Sequence, residues 1–219
     1  MQPLYHNSTQ TGGWPLLNVA ATCTATHALG PGLRAVVWVQ GCPFNCPGCL
    51  APDWIPMRQA RTVAPEDLVA ELLAHPQVTG LTFSGGEPML QAAGLTRLIN
   101  LAREQRPLSL ICFSGFTLAQ LRDDPPGPSV ADLLDQIDVL IDGRYVARQN
   151  DHRGLRGSRN QRIHYLTDRL AEFDFASGPR QIEIQVQADH VLLVGVPPRG
   201  AITLIDQALE HVCRARTAG

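Results

Sequence analysis

A parallel α/β architecture is what this sequence predicts, on three observations. Short apolar runs rich in β-branched residues recur along the chain, stretches of helical period separate them, and the segments following the runs are crowded with Gly, Cys and charged residues. Strands alternating with helices at this spacing build βαβ units, so the sheet is a partial or full α/β barrel or an open wound sheet. In either arrangement function gathers on the loops at the carboxyl ends of the strands.

The elements follow in order. A polar lead containing Gly and Pro runs to about residue 33, and "RAVVWVQ" (34–40) then reads as a buried strand stopped by Gly41. "APEDLVAELLAH" (64–75) has the Pro and acids of a helix first turn, and "GLTFS" (80–84) is a second strand. "MLQAAGLTRLINLAREQ" (89–105) is helical in period, "LSLICF" (108–113) is strand-like, "DDPPGP" interrupts the next helix, and "IDVLID" (137–142) is a further strand. Residues 143–162 have no clear period and read as a long loop. The end reads as a hairpin over 181–198, turning at Ala188 and Asp189, followed by a short helix from about 201. With no internal repeat and no linker, residues 1–219 form one expected domain.

The chain has 219 residues, 44% of them hydrophobic, and a formal net charge of -2, which suits one globular core. No run approaches the length a membrane helix needs, and "MQPLYHNSTQTGG" lacks a signal-peptide pattern, so a cytoplasmic location and no membrane partner are expected. Six cysteines, three clustered and three scattered (Cys23, Cys112, Cys213), do not form a secreted disulfide framework. All 18 basic residues are arginines, which excludes a phosphate-loop lysine, a Schiff-base lysine and pyridoxal-phosphate chemistry in this chain.

The clustered cysteines, Cys42, Cys46 and Cys49, have C-x3-C-x2-C spacing in a Pro- and Gly-containing loop behind the first strand. Structural zinc usually takes four ligands, and no second Cys pair is present. Thiolates are also the usual ligands of iron–sulfur clusters, and the loop alone favours that over zinc. The second motif is Gly85-Gly86-Glu87-Pro88, directly after the second strand. Two glycines let a ligand approach the backbone and Glu87 offers a carboxylate to an ammonium group, although such a sequence is by itself a common tight turn.

In this order and after successive strands, the two motifs resemble the radical S-adenosylmethionine superfamily. "LGPGLRAVVWVQGC", "CLAPDW", "DVLIDGRYV", "LRGSRNQRI" and "VLLVGVPP" further resemble the glycyl-radical-enzyme activases, above all the branch acting on anaerobic ribonucleotide reductase. The resemblance implies a partial (β/α)6 TIM-like barrel with one 4Fe-4S cluster on Cys42, Cys46 and Cys49. It also implies S-adenosyl-L-methionine as the ligand of the open iron, and Gly85, Gly86 and Glu87 beside its amino group. The protein partners implied are a glycyl radical enzyme as substrate and flavodoxin or a similar reductant.

Ser114 and Gly115 end the third strand and are expected near ribose or carboxylate. Asp142 and Arg144 end the fourth and are expected at the carboxylate, which Arg can bind through two parallel hydrogen bonds. Gly48 stands where much of the superfamily has an aromatic against adenine, so Phe44 or Trp54 is the expected substitute. Leu29 replaces an acid found in many activases. Residues 144–169 hold seven arginines against Asp151 and Asp168, a basic run that favours docking of a protein partner over nucleic acid. Two other readings stay open: radical chemistry on a small molecule or ribosomally made peptide, and a non-catalytic iron–sulfur or zinc protein.

Overall fold

The computed structural model describes residues 15–186 and 191–208. Its strands are β1 (Leu17–Thr26), β2 (Arg34–Val39), β3 (Arg61–Val63), β4 (Gly80–Gly85), β5 (Ser109–Ser114), β6 (Val139–Asp142), β7 (Arg162–Tyr165), β8 (Ile182–Val186) and β9 (Val191–Gly195). Its helices are α1 (Pro65–Leu72), α2 (Ala92–Gln105), α3 (Leu118–Asp123) and α4 (Val130–Leu134), with a further helix over 201–208.

Seven strands form one sheet in the order β3-β1-β2-β4-β5-β6-β7, and β8 and β9 form a separate hairpin. The central strands β2, β4, β5 and β6 pair in parallel, while β1, β3 and β7 add antiparallel edges. The architecture is therefore mixed α/β around a mostly parallel centre, and the parallel pairing among the described residues covers four strands rather than six. Side chains alternate across this sheet. Ala35, Val37 and Val39 of β2 join the core shared with Leu68 and Leu72 of α1 and Leu95, Leu98 and Ile99 of α2. Val36 and Trp38 face the other way, where Leu192 and Val194 of β9 cover them. Ile111, Val139 and Ile141 are covered on that same face by Phe175.

The polar lead holds a strand that the sequence pattern hides. β1 carries register shifts between Val19 and Ala21 and between Cys23 and Thr26, and these bulges break the period-two signal that marks a strand. The start of the second helical stretch also differs. Residues 88–91 form a tight 3-10 turn before α2, because the Glu87 side chain accepts the Met89 N–H and caps that turn. "DDPPGP" separates α3 from α4 as expected. Ala188, Asp189, Cys213 and the rest of 209–219 lie outside the described residues.

The Gly-Pro-Gly-Leu-Arg lead folds into a plug at the amino ends of the parallel strands. Arg34 is wholly buried, and its guanidinium donates to Thr82 Oγ1 (2.7 Å), Ser109 Oγ (2.9 Å), Ser109 O (3.0 Å), Leu81 O (2.5 Å) and Pro31 O (3.2 Å). Gly80 leaves room for it, since a Cβ there would lie 2.3 Å from Arg34 Nη1. Burial pushes this guanidinium down to about 9, and only the field of Asp138 opposes it.

Candidate functional site

At the carboxyl ends of the parallel strands lies a cavity of about 210 Å³ whose wall contains Cys42, Cys46 and Cys49 together with Gly85, Gly86 and Glu87. β2 delivers the cysteines. Beyond Val39 the chain turns at Gly41, whose φ of 95° suits glycine, and Gly41 N–H and Cys42 N–H donate to the carbonyls of Trp54 and Ile55, both at 2.9 Å. These bonds close residues 42–54 into a loop on the strand end. Cys49 N–H donates to Cys46 O at 3.1 Å, which folds the last two thiols into one turn.

Backbone N–H groups point at two of the sulfurs, Phe44 toward Cys42 and Tyr145 toward Cys46. Even so, burial pushes the Cys42 thiol up to about 12 and raises that of Cys46. A thiolate there needs a cation beside it, and coordinated iron meets that need by holding thiolate ligands deprotonated. Hydrogen bonds to the sulfurs are also among the groups that tune iron–sulfur clusters. The described cysteines are all free thiols. No three His, Cys, Asp or Glu side chains among the described residues converge on a point that one ion could occupy. The donor set fits a multi-iron cluster better than a single zinc ion.

The Gly-Gly-Glu turn is built against the cysteine loop itself. Gly86 N–H donates to Val39 O at 2.7 Å and Glu87 N–H to Gly41 O at 2.9 Å. A Cβ on Gly86 would sit 2.2 Å from Gly41 O, and one on Gly85, where φ is 98°, would sit 2.7 Å from Val39 N. Both glycines thus serve the approach of backbone to backbone. Glu87 is buried, and its carboxylate accepts the Gly115 N–H (2.7 Å), the Ser114 hydroxyl (2.9 Å) and the Met89 N–H (3.0 Å). It ties the loop after β4 to the loop after β5. Burial pushes Glu87 up to about 7, with those three donors pulling it the other way.

Ser114 and Gly115 line the cavity, as does Phe44, which packs onto Gly115 where a Cβ would lie 2.4 Å from its ring. Phe44 meets Phe116 edge-on at 4.7 Å between centroids, and the Arg144 guanidinium lies 4.5 Å from its ring centre. Arg144 is on the wall, whereas Asp142 and Pro88 are not. Asp142 is buried, accepts the Leu118 N–H at 2.5 Å and lies 2.9 Å from His164 Nε2, so its carboxylate is used inside the fold. Pro88 is buried at the start of the tight turn before α2.

Several wall residues lie in stretches that carry the resemblance but are not singled out there as site residues. Tyr145 is one: Gly48, at a φ of 73°, would carry a Cβ 3.9 Å from the Tyr145 ring. Gln161, within the "RGSRNQR" stretch, also lines the cavity; its side chain accepts the Gly157 N–H (2.9 Å) and donates to Gly143 O (2.8 Å). Leu193, Gly195 and Val196 bring the end of the C-terminal hairpin to the same wall, opposite in sequence to everything else there. Trp54 does line it, 5.5 Å from Trp38. Cys23 and Cys112 are buried core residues.

Comparison with known proteins agrees with this geometry. A family profile described as a 4Fe-4S single cluster domain matches residues 28–164. The anaerobic ribonucleoside-triphosphate reductase-activating protein of Vibrio cholerae is 35% identical over 147 residues, 63% of this chain and 91% of that protein. Its counterpart in Escherichia coli is 30% identical over 145 residues, with the same coverage of 63% and 91%. The pyruvate formate-lyase-activating enzyme of Clostridium pasteurianum is 36% identical over 92 residues, 40% of this chain and 39% of that enzyme.

Proposed function

The chain belongs to the single-cluster 4Fe-4S family, alongside anaerobic ribonucleoside-triphosphate reductase-activating proteins, and on that premise we propose that it is a radical S-adenosylmethionine activase of a glycyl radical enzyme, an anaerobic ribonucleotide reductase. One observation carries the reading: three thiols and the Gly-Gly-Glu turn, far apart in sequence, form one wall at the carboxyl ends of adjacent parallel strands. A 4Fe-4S cluster held by Cys42, Cys46 and Cys49 would supply one-electron reductive cleavage of S-adenosylmethionine, the chemistry needed to remove a hydrogen atom from a glycine of the partner.

The chain's own residues bind and position. Cys42, Cys46 and Cys49 hold the cluster, with the Phe44 and Tyr145 N–H groups directed at their sulfurs. The backbone of Gly85 and Gly86 receives the methionyl amino group. Glu87 acts as a positioning residue here, because its oxygens already accept three protein donors. We assign ribose and carboxylate to Ser114, Gly115 and Arg144, which line the cavity, while Asp142, within the fold, ties the end of β6 to the start of α3. The adenine contact that Gly48 lacks falls to Tyr145, and Phe44 is held between Phe116 and Arg144.

The flanking antiparallel strands and the hairpin stand in this reading for the missing units of a partial barrel, and residues 1–219 act as one domain. The side chains of Arg144, Arg148, Arg153, Arg159 and Arg162 are exposed, with Arg144 on the cavity wall, and they suit an acidic protein partner or a flavodoxin-like reductant. Among the described residues no helix is long and apolar enough to cross a membrane.

The test is anaerobic reconstitution with iron and sulfide, reduction by dithionite, and measurement of 5′-deoxyadenosine. Cys46→Ala should lose both the cluster and the product. Product formed equally by Cys46→Ala would overturn the proposal.

A further inference from the structure

One strand of the C-terminal hairpin, β8, is inside out. On β8 the polar residues face the protein: Glu183 Oε1 accepts the His27 N–H at 2.7 Å, and Gln185 Nε2 donates to Ala25 O at 3.1 Å and lies 3.0 Å from Cys23 Sγ. These bonds fix the register. Cross-strand pairing of Ile182 with Gly195, Ile184 with Leu193 and Val186 with Val191 then puts all six on the opposite face. Ile184 is 53% exposed, Val186 79% and Val191 49%. A half-buried antiparallel sheet normally turns its apolar side inward and its polar side to water. Here Leu192 and Val194 do face inward, but β8 gives its β-branched residues to solvent.

This strip leads into the site. Leu193 and Gly195, at its inner end, are on the cavity wall with the three cysteines, and Leu50, 47% exposed, stands on the same wall. A glycine has no side chain to recognise, so a protein substrate must be selected through the residues around it. An extended segment lying along a strand surface presents alternate side chains to one face, which matches the spacing of Ile184, Val186, Val191 and Leu193. Contiguous exposed apolar surface beside a site marks a place of association.

We propose that the outer face of the β8–β9 hairpin is the docking surface for an extended apolar segment of the protein substrate, adjoining the glycine that enters the cavity. The proposal rests on the activase reading and deepens it by naming where the partner binds.

The test uses the full chain with its cluster and the anaerobic ribonucleoside-triphosphate reductase of the same organism. Val186→Lys alone and Ile184→Thr with Val186→Lys change only exposed side chains. Both should cleave S-adenosylmethionine without the reductase within about twofold of wild type, showing an intact fold. Their affinity for the reductase should fall by about tenfold or more, with a matching loss of glycyl radical. Unchanged affinity in both variants would overturn the docking surface while leaving the activase reading intact. A wild-type dimer that the variants convert to monomer, with reductase affinity unchanged, would also overturn it and assign the strip to a second copy of this chain. Failure of the wild-type protein to bind the reductase would overturn the activase reading and this proposal together.

Discussion

Gly86 and Glu87 do structural work beside the role proposed for them at the ligand. The turn after β4 is glycine-rich because the cysteine loop lies against it, so Gly86→Ala would drive a Cβ into Gly41 O. That contact is backbone against backbone and cannot be relieved by a rotamer change. The variant should lose about 1–3 kcal/mol in chemical denaturation and most of its S-adenosylmethionine cleavage. Gly127→Ala, where a Cβ meets nothing within 4 Å, should stay within about 0.5 kcal/mol of wild type.

Glu87 supplies a pH signature. Its carboxyl is raised in the folded protein from an ordinary value of 4.5 to about 7, so the folded state binds the proton more tightly than the unfolded chain. The stability linked to this group is present below the unfolded value and is lost as pH rises through about 7, on the order of 3 kcal/mol in all. Melting curves between pH 4.5 and 8 should show that decline, and Glu87→Gln should flatten it. An equal slope in the variant would show that Glu87 is not the titrating group.

At the scale of elements, β2 is the organising strand: its inner end carries Arg34, its outer end the cysteine loop, and its flanks pair with β1 and β4. Arg34 links β2 to β4 and β5 through Thr82, Leu81 and Ser109. Arg34→Met should cost about 3 kcal/mol or more, since it strands buried acceptors in three places, whereas exposed Arg148→Ala should be nearly neutral. Equal midpoints in urea for the two variants would contradict this role. The parallel strands and their helices were legible in sequence because each is a continuous apolar run or a clear 3.6-residue period. β1 was not, because its bulges shift the alternation, and β7 is a four-residue edge strand behind an arginine-rich loop.

Considered as a whole molecule, the site joins stretches far apart in one chain, from the cysteine loop through the ends of β4, β5 and β6 to Gln161 and the C-terminal hairpin. The cysteine loop and the Gly-Gly-Glu turn were readable from spacing and from their place after strands. The stretches of Tyr145, Gln161 and Leu193 carry the resemblance, but their place on the wall was not readable, because it comes from long-range packing: Tyr145 lies beside a glycine nearly a hundred residues earlier, and Leu193 arrives on a hairpin that covers the sheet. Likewise, the sequence offers Asp142 as a carboxylate for the site, and only the fold reveals that it already accepts the Leu118 N–H and lies beside His164. The arginines from 144 to 162 predict salt-sensitive association: raising salt from about 0.05 M to 0.5 M should slow partner binding by about tenfold or more in stopped-flow measurements. A salt-independent rate would remove these charges from the docking surface.

The central claim is that this cavity generates a radical and delivers it to a protein glycine. The most direct measurement is electron paramagnetic resonance of the anaerobic ribonucleoside-triphosphate reductase after incubation with the reconstituted, reduced protein and S-adenosylmethionine. A glycyl radical doublet that requires Cys42, Cys46 and Cys49 and appears with 5′-deoxyadenosine is the predicted result. Cleavage of S-adenosylmethionine with the reductase bound and no radical on it would contradict the account.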